Sequence, residues 1–458
     1  MAIATLNPTT GVVEKSFEAH TPAEIEAILA RADAANAAMR ATTFAERSTW
    51  MRAAADIMDA DLELLAGLAA TEMGKTIPTA KYEVTKSANG MRHYADHAEE
   101  YLADETPVEA SAVGASAARV VFRPIGTVLA IMPWNYPFWQ VIRFAAPALM
   151  AGNTGLLKHA SSVPQIALYL GELFERAGFP PGAFQTLLVE GAAASKLIDD
   201  RRVKAVTLTG SVGAGAAVAE AAGRNIKKSV LELGGTDVFI VMPSADVAKA
   251  AEFGSNSRTQ NSGQSCICAK RFYVHDDIYD EWFAAFLAKM ESTRGGDPFA
   301  EGTGFGPMAT ETVRAEAHEL VEDAKAKGVT VHTGGDLPDG PGWFYPATVL
   351  TDVTPEMRIY REECFGPVAC VYRVSSLDEA VAHANDSDFG LAASIWTSDA
   401  DEVAALQDRL EFGAVFANGN TASFFGMPFG GVKDSGYGRE LGRFGIREFV
   451  NAKTLWTA

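Results

Sequence analysis

The chain has 458 residues, which is too long for one ordinary core and suits two or three domains. Its 48% hydrophobic and 21% charged residues are typical of a globular protein. With 58 acidic and 39 basic side chains, the formal net charge is −19, which argues against nucleic acid and anionic membranes as partners because both require basic patches. The N-terminus has no basic start followed by an apolar run, and the most apolar stretch, residues 130–152, is interrupted by prolines and Arg143. We therefore expect no membrane span and a cytosolic location.

The first hundred residues are predicted to be mostly helical. After a short strand-like run, ATLNPTTG, residues 21–24 form a capping box with proline at the first helical position, which opens a helix through Met39. Two further long amphipathic patterns cover residues 44–73 and 78–102.

From about Arg119, short β-rich runs alternate with helices, as in GTVLAIMP, a helix near residues 138–151 and then TGLLKHA. This alternation predicts a parallel sheet with right-handed crossovers. The pattern restarts after Glu232 with VFIVMP and a helix around residues 245–258, which indicates a second α/β unit with its boundary near residues 233–237. The final run, REFVNAKTLWTA, is predicted to be a strand that needs a partner, and pairing with another subunit is one solution.

Three residues could supply the parts of a thiol-based catalytic site. Cys266 lies in the polar, glycine-containing loop NSGQSC, where a substrate could reach a thiolate. Glu232 ends a hydrophobic strand, where burial could raise the pKa of a carboxylate towards that of a general base. Asn135, in the turn PWNYP, offers an uncharged amide donor to an oxyanion.

Each of these residues also has an ordinary interpretation. A lone cysteine is usually a small buried hydrophobe, and a strand-end glutamate is usually a surface carboxylate. Four cysteines in so long a chain make no disulfide framework, and Cys364 and Cys370 keep the interpretation of core residues.

The segments PWNYP, TGSVGAG, LELGG, GQSC and EECFGP, in this order and spacing, resemble the aldehyde dehydrogenase superfamily. The similarity runs over essentially the whole chain, from LNPTTG to PFGGVKDSGYGRE. It implies an α/β fold with two Rossmann-type parallel-sheet domains and a small β extension for oligomerisation, in a homodimer or homotetramer. Residues 1–107 and 125–234 would bind the dinucleotide, residues 235–434 would form the catalytic domain, and residues 108–124 and 435–458 the extension.

The resemblance also implies a mechanism. In that superfamily the cysteine attacks the aldehyde to give a thiohemiacetal, a hydride passes to nicotinamide, and water then cleaves the thioester. Carried over, Cys266 is the nucleophile, its backbone N–H and the Asn135 side chain hold the oxyanion, and Glu232 activates the water. No metal is expected.

The cofactor site is predicted from a glycine-rich turn and from the resemblance. GSVGAG follows the strand AVTLT and opens a helix, so that its backbone can approach a pyrophosphate at the helix N-terminus, although such a turn is weak evidence by itself. By resemblance, Ser211 would touch the pyrophosphate, while Glu363 and Phe365 would hold the nicotinamide ribose and ring. The full predicted set is Trp134, Lys158, Ser161, Gly191, Gly210, Ser211, Gly215, Leu233, Glu363 and Phe365.

The segment LLKHAS favours NADP over NAD. Lys158 resembles the family lysine near the adenosine ribose, and three residues later NAD-preferring members commonly carry a glutamate, where this chain has Ser161. A carboxylate would repel the 2′-phosphate of NADP, whereas a lysine with a hydroxyl would bind it. His159 departs from the proline that usually follows this lysine.

The substrate class is predicted from Arg143, which follows Asn135 by two helical turns. An arginine here resembles succinate-semialdehyde dehydrogenases, in which it grips the distal carboxylate. Some members carry a second arginine directly before the NxGQxC motif, where this chain has Gln260, and Ser423 could add a hydroxyl to the carboxylate site. The alternative interpretation of Arg143 is a structural ion pair.

Other functions remain open at this point. The enzyme could oxidise glutarate semialdehyde or a neutral aliphatic aldehyde, because one methylene is worth only about 1–3 kcal/mol of discrimination. A CoA-acylating enzyme is disfavoured because that branch generally lacks the glutamate that Glu232 matches. A non-catalytic scaffold of the same fold is disfavoured by the intact catalytic set.

Cys268 is a possible redox partner of Cys266. Some succinate-semialdehyde dehydrogenases share this Cys-x-Cys pair and are switched by oxidation. In an extended chain, Cα atoms two residues apart lie about 6.6–7.2 Å from each other, at the edge of the disulfide range. The alternative is that Cys268 is a packing residue.

Overall fold

The computed structural model describes residues 3–458. The helices of this part of the chain are α1 Pro22–Ala41, α2 Phe44–Ala60, α3 Leu62–Met73, α4 Ile77–Tyr101, α5 Trp139–Met150, α6 Pro164–Arg176, α7 Gly191–Asp199, α8 Val212–Arg224, α9 Val247–Thr259, α10 Tyr279–Ser292, α11 Glu311–Ala326, α12 Arg358–Arg361, α13 Leu377–Asn385, α14 Ala400–Arg409 and α15 Gly442–Glu448. The strands are β1 Ile3–Asn7, β2 Val12–Phe17, β3 Ala117–Pro124, β4 Thr127–Met132, β5 Thr154–His159, β6 Phe184–Thr186, β7 Val203–Thr209, β8 Lys228–Glu232, β9 Val238–Val241, β10 Arg271–His275, β11 Thr330–Thr333, β12 Thr348–Thr351, β13 Val368–Val374, β14 Phe389–Gly390, β15 Ala392–Trp396, β16 Ala414–Ala417, β17 Val432–Lys433, β18 Gly436–Tyr437 and β19 Val450–Thr457.

The N-terminal helices begin where their capping residues predict. The Thr21 hydroxyl accepts from the Glu24 backbone N–H, and the Glu24 carboxylate accepts from the Thr21 N–H, so the predicted capping box is present. The pattern over residues 44–73, in contrast, forms two helices that are separated at Asp61. The Asp61 carboxylate accepts a hydrogen bond from the Tyr169 hydroxyl of α6, so a tertiary contact accompanies this break.

The first of two large sheets has six strands in the order β18-β8-β7-β4-β5-β6. Strands β8, β7, β4, β5 and β6 are parallel, which confirms the predicted parallel sheet. β18 adds an antiparallel edge and pairs Gly436 with Glu232. A segment from near the C-terminus therefore lies beside the predicted general base.

The second sheet has seven strands in the order β11-β12-β13-β10-β9-β15-β16. All neighbours are parallel except β11, which pairs antiparallel with β12. The central strands β9 and β10 are almost entirely buried. This sheet confirms the second α/β unit that the pattern after Glu232 predicts.

The C-terminal strand finds a partner within its own chain. β19 pairs antiparallel with β3 along its whole length, from Val450 with Pro124 to Thr457 with Ala117. Trp456 on this ribbon remains about half exposed. No helix within residues 3–458 has the length and apolar character required to span a bilayer.

Candidate active site

Cys266, Asn135 and several of the predicted cofactor-binding residues meet at a cavity of about 390 Å³. Three parallel strands of the six-stranded sheet, β4, β7 and β8, lead directly into segments that line it, at the carboxyl edge where α/β sheets bind ligands. The lining residues are Pro133, Trp134, Asn135, Gln140, Thr209, Gly210, Ser211, Val212, Leu233, Gly234, Cys266, Val313, Glu316, Glu363, Phe365 and Phe389.

The loop that carries Cys266 is held in an unusual conformation. Asn261 and Gly263 both have positive φ angles, of 52° and 73°. A Cβ atom on Gly263 would lie 2.2 Å from the carbonyl oxygen of Gly366, so no larger residue fits there. The buried Arg258 donates to the Gly263 carbonyl at 2.7 Å, which secures the turn that precedes the cysteine.

The turn that follows β4 presents Asn135 next to this loop. Its amide nitrogen donates to the Gln264 carbonyl at 3.2 Å, and the Asn261 amide donates to the Asn135 carbonyl at 2.9 Å. Because a primary amide has two N–H groups, one remains free to point at a developing oxyanion. The Cys266 backbone N–H makes no hydrogen bond among residues 3–458, so it is a second free donor.

The Cys266 side chain is partly buried at the cavity wall. Burial raises the pKa of its thiol to about 12, while the cations Arg143 and Lys270 act in the opposite direction. The Lys270 ammonium also donates to the Cys266 carbonyl at 2.7 Å, which fixes the backbone of the nucleophile. The resting group is therefore a thiol that must lose its proton to attack.

Glu232 is almost completely buried, and neither of its carboxylate oxygens has a hydrogen-bond partner in the described part of the chain. Burial, followed by the neighbouring Glu440, raises its pKa well above that of a free glutamate, and Arg143 and Arg439 oppose this shift. A Cβ atom on Gly430 would lie 2.6 Å from Glu232 Oε1, so this glycine leaves room for the carboxylate. A buried, unpartnered carboxylate of this kind is suited to accept a proton.

Arg143 does not line the cavity in this structure. Its guanidinium forms a buried ion pair with Glu440, donates to Gln140 Oε1 at 2.6 Å, and lies 4.5 Å from the centre of the Phe429 ring. These contacts favour the structural ion pair over a carboxylate-binding role, which stays a prediction. Glu440 was not predicted as a site residue, although it lies within the C-terminal motif GYGREL, which carries part of the resemblance.

The nicotinamide-binding residues predicted by resemblance lie together in the cavity. Trp134 and Phe365 form an edge-to-face pair with ring centres 5.8 Å apart. Glu363 pairs with Lys270 at 3.1 Å, and a Cβ atom on Gly234 would lie 2.2 Å from Glu363 Oε2. The Glu363 carboxylate thus lies against the backbone of Gly234, where no side chain intervenes, at the cavity wall.

The glycine-rich turn has the geometry of a pyrophosphate cradle. Ser211 caps α8, and its hydroxyl accepts from the Ala214 N–H at 3.4 Å. A Cβ atom on Gly215 would lie 2.6 Å from the Leu233 side chain, so this glycine allows the helix to pack closely on β8. Together with Glu363 and the aromatic pair, these residues fit a dinucleotide.

The residues predicted for the adenosine end lie outside this cavity. Lys158 is half-buried, and burial lowers its pKa. Ser161 is half-buried and offers its carbonyl to the Ala4 N–H, and Gly191 is the first residue of α7. Burial lowers the pKa of the intervening His159 to about 4.

His159, which stands where the family usually has a proline, also positions the turn that carries Asn135. The sequence alone did not predict this role. Its Nδ1 lies 2.9 Å from the Ala160 backbone nitrogen and 3.3 Å from the Met132 carbonyl oxygen, and its Nε2 lies 2.9 Å from the Pro137 carbonyl oxygen. The shorter pair of contacts fits the tautomer that carries its proton on Nε2. The imidazole therefore connects β5, the strand of Lys158, to the turn that presents Asn135.

The four cysteines are all free thiols. Cys268 is fully buried, and its thiol donates to the Ser265 carbonyl at 2.8 Å and to the Gly263 carbonyl at 3.3 Å. These contacts favour a packing role, and the redox pair remains a prediction. Cys364 and Cys370 are buried, and no group of three or more metal-ligating side chains occurs in the range 3–458.

Ser423 lies in the segment between β16 and β17 and is buried. Its hydroxyl oxygen accepts from Trp139 Nε1 at 3.0 Å and from Lys86 Nζ at 2.9 Å. Lys86 was not predicted as a site residue, because its segment in α4 carries no motif.

Comparisons with known proteins agree with this geometry. The model of the aldehyde dehydrogenase family matches residues 1–455. An aldehyde dehydrogenase of Paenarthrobacter nicotinovorans is 64% identical over 458 residues and covers 100% of both chains. Succinate-semialdehyde dehydrogenase (NADP+) 1 of Mycobacterium tuberculosis is 53% identical, again over 100% of both chains. The crystal structure of succinic semialdehyde dehydrogenase from Streptococcus pyogenes in complex with NADP+ superimposes with a TM-score of 0.95, 35% identity and 99% coverage of both chains.

Proposed function

The chain belongs to the aldehyde dehydrogenase family, and on this premise we propose that it oxidises succinate semialdehyde to succinate with NADP as the preferred cofactor. The observation that carries the proposal is the convergence of Cys266 and Asn135 at one cavity with the residues that fit a dinucleotide. The names of the relatives at 53% identity and the NADP+ complex of the similar structure support the substrate and the cofactor.

The cofactor would be held by Ser211, Leu233, Glu363 and the aromatic pair of Trp134 and Phe365, with Lys158 and Ser161 at the 2′-phosphate. When bound, it accepts the two electrons and the hydrogen that the aldehyde carbon loses. NAD is proposed as a poorer alternative, because no carboxylate is present at position 161 to accept from its ribose hydroxyls.

The residues of the chain carry the remaining steps. The Cys266 sulfur bonds to the aldehyde carbon while its thiol proton passes to water, and the carbonyl oxygen becomes an oxyanion between the Asn135 amide and the Cys266 N–H. Oxidation of that carbon leaves a thioester on the cysteine. A water molecule then attacks the thioester while Glu232 accepts its proton, and the carbon–sulfur bond breaks to release the acid and regenerate the cysteine.

We also propose a cytoplasmic location and a homodimer or homotetramer. The four free thiols fit a reducing compartment, and the half-exposed Trp456 on the terminal strand offers apolar surface to a second copy of the chain. The division into residues 1–107 with 125–234, 235–434, and 108–124 with 435–458 is likewise proposed.

A substrate panel tests the function. The full-length protein is assayed with succinate semialdehyde, glutarate semialdehyde and butanal, each with NADP and with NAD, and reduced cofactor is followed at 340 nm. We expect the highest kcat/KM for succinate semialdehyde with NADP. A kcat/KM for butanal that equals or exceeds this value would overturn the substrate proposal, and the absence of turnover with every aldehyde would overturn the enzymatic one.

A further inference from the structure

Three side chains from distant parts of the sequence form a small polar cluster. Lys86 of α4 donates to the Ser423 hydroxyl at 2.9 Å, and the ammonium lies 4.8 Å from the centre of the Trp139 ring. Trp139 in turn donates its indole N–H to the same Ser423 oxygen at 3.0 Å. One hydroxyl oxygen therefore accepts from two different donors.

This cluster contains more hydrogen-bond donors than acceptors. Because Lys86 and Trp139 can only donate, both lone pairs of the Ser423 oxygen are occupied, and its own O–H must find an acceptor elsewhere. No such acceptor occurs among residues 3–458. The Lys86 ammonium has two further N–H groups, and no carboxylate of the described residues pairs with it, since the nearby Glu83 is paired with Lys75.

The cluster lies next to the catalytic loop. The Thr421 hydroxyl, two residues before Ser423, donates to the carbonyl of Ile267, the residue directly after Cys266. On the other side, Trp139 is followed by Gln140, which lines the reactive cavity. These two contacts connect the cluster to the loop of Cys266 and, through Gln140, to the cavity wall.

We propose that Lys86, together with the Ser423 hydroxyl, binds the distal carboxylate of the substrate. A chain of net charge −19 can hold an anion only through a local cation. The guanidinium of Arg143 is already paired with Glu440, whereas Lys86 is not paired. This inference rests on the proposed function, and it assigns the substrate specificity of the enzyme to Lys86, a residue that lies in no motif.

The environment of Lys86 suits a ligand of opposite charge. Burial, followed by the positive charge of Arg143, lowers the pKa of its ammonium to about 8, so the group is a cation at neutral pH that a carboxylate would stabilise further. Its contact with the Trp139 ring positions the ammonium without neutralising its charge.

The test compares Lys86→Met and Lys86→Arg with the control Lys81→Met. Lys81 lies on the same helix, is more exposed and pairs with Glu63, so it shares the helix but not the cluster. Each variant is assayed with succinate semialdehyde and with butanal, and the inhibition constant of succinate against butanal oxidation is measured in parallel.

In Lys86→Met we expect the ratio of kcat/KM for succinate semialdehyde to that for butanal to fall about ten- to a hundred-fold, mainly through KM. Lys86→Arg should recover part of this loss, Lys81→Met should keep the parent ratio, and Ser423→Ala should lower it by a smaller factor than Lys86→Met. An unchanged ratio in Lys86→Met, or an unchanged inhibition constant for succinate, overturns the inference.

The failure of the proposed function would look different. In that case the parent enzyme itself would prefer butanal to succinate semialdehyde. Inhibition by succinate that weakens at least ten-fold in Lys86→Met would still support Lys86 as the carboxylate-binding residue.

Discussion

Replacing Arg143 with methionine is expected to destabilise the protein and to impair the oxidation of charged and neutral aldehydes alike. The side chains of Arg143 and Glu440 are only 3% and 6% exposed. Without the guanidinium, the Glu440 carboxylate would remain buried beside Glu232 with no paired cation. Breaking a buried ion pair in this way costs about 3–5 kcal/mol, because the remaining charge is neither hydrated nor neutralised.

The same substitution should change the dependence of activity on pH. Burial raises the pKa of both Glu232 and Glu440, and Arg143 lowers both. Loss of the cation therefore raises both pKa values further. Because a general base works only when it is unprotonated, the rise of kcat with pH should move to higher pH in Arg143→Met.

Urea unfolding of four proteins would measure the effect on stability. Arg143→Met is compared with the parent, with the double variant Arg143→Met/Glu440→Leu, and with Arg409→Met, which removes an exposed ion pair with Asp378. We expect the double variant to regain most of the lost stability, since it leaves no unpaired charge at positions 143 and 440, and Arg409→Met to lie within about 1 kcal/mol of the parent. If Arg143→Met keeps parental stability and loses activity only towards succinate semialdehyde, the structural reasoning is refuted and the arginine binds the substrate.

Three further outcomes are expected. Cys266→Ala should abolish turnover while cofactor binding, measured by fluorescence titration, persists, and substantial steady-state activity in this variant would contradict the mechanism. Glu232→Gln should retain a pre-steady-state burst of reduced cofactor, because the substitution impairs only the later hydrolysis of the thioester. Ser161→Glu should invert the preference for NADP, because its carboxylate would stand near Lys158 where the 2′-phosphate is proposed to bind, and a parent enzyme with equal or higher kcat/KM for NAD would disprove this assignment. If Cys268 protects Cys266 as a disulfide, peroxide should inactivate the parent reversibly and Cys268→Ala irreversibly, whereas equal recovery with a thiol reductant would show that Cys268 only packs.

Local features of the sequence predicted much of the fold. The capping box at Thr21 and Glu24 is confirmed, because a helix start depends on residues three positions apart. Two largely parallel sheets confirm the predicted alternation of strands and helices. This alternation could be predicted because the hydrophobic period of a strand or a helix depends only on neighbouring residues. The break at Asp61 escaped prediction, since no glycine or proline marks it and its carboxylate is engaged by another helix.

The motifs in register identified the family, and the match to the family model confirms it. The same motifs led to the prediction of Cys266, Asn135 and Glu232 as catalytic residues, because each of the three lies in a motif and has a side chain suited to one step of the reaction. The predicted preference for succinate semialdehyde and NADP agrees with the names of the relatives at 53% identity.

The sequence by itself thus determined the types of the elements and the family, and it predicted the reactive groups, because all of these depend on neighbouring residues or on motif spacing. Only the tertiary structure decided which charged side chains contact each other. The sequence allowed Arg143 either a substrate or an ion pair, and the fold places Glu440 against it. The contact between Lys86 and Ser423 joins residues 337 positions apart. No local pattern encodes such a contact, because it forms only when separate elements pack around a common cavity.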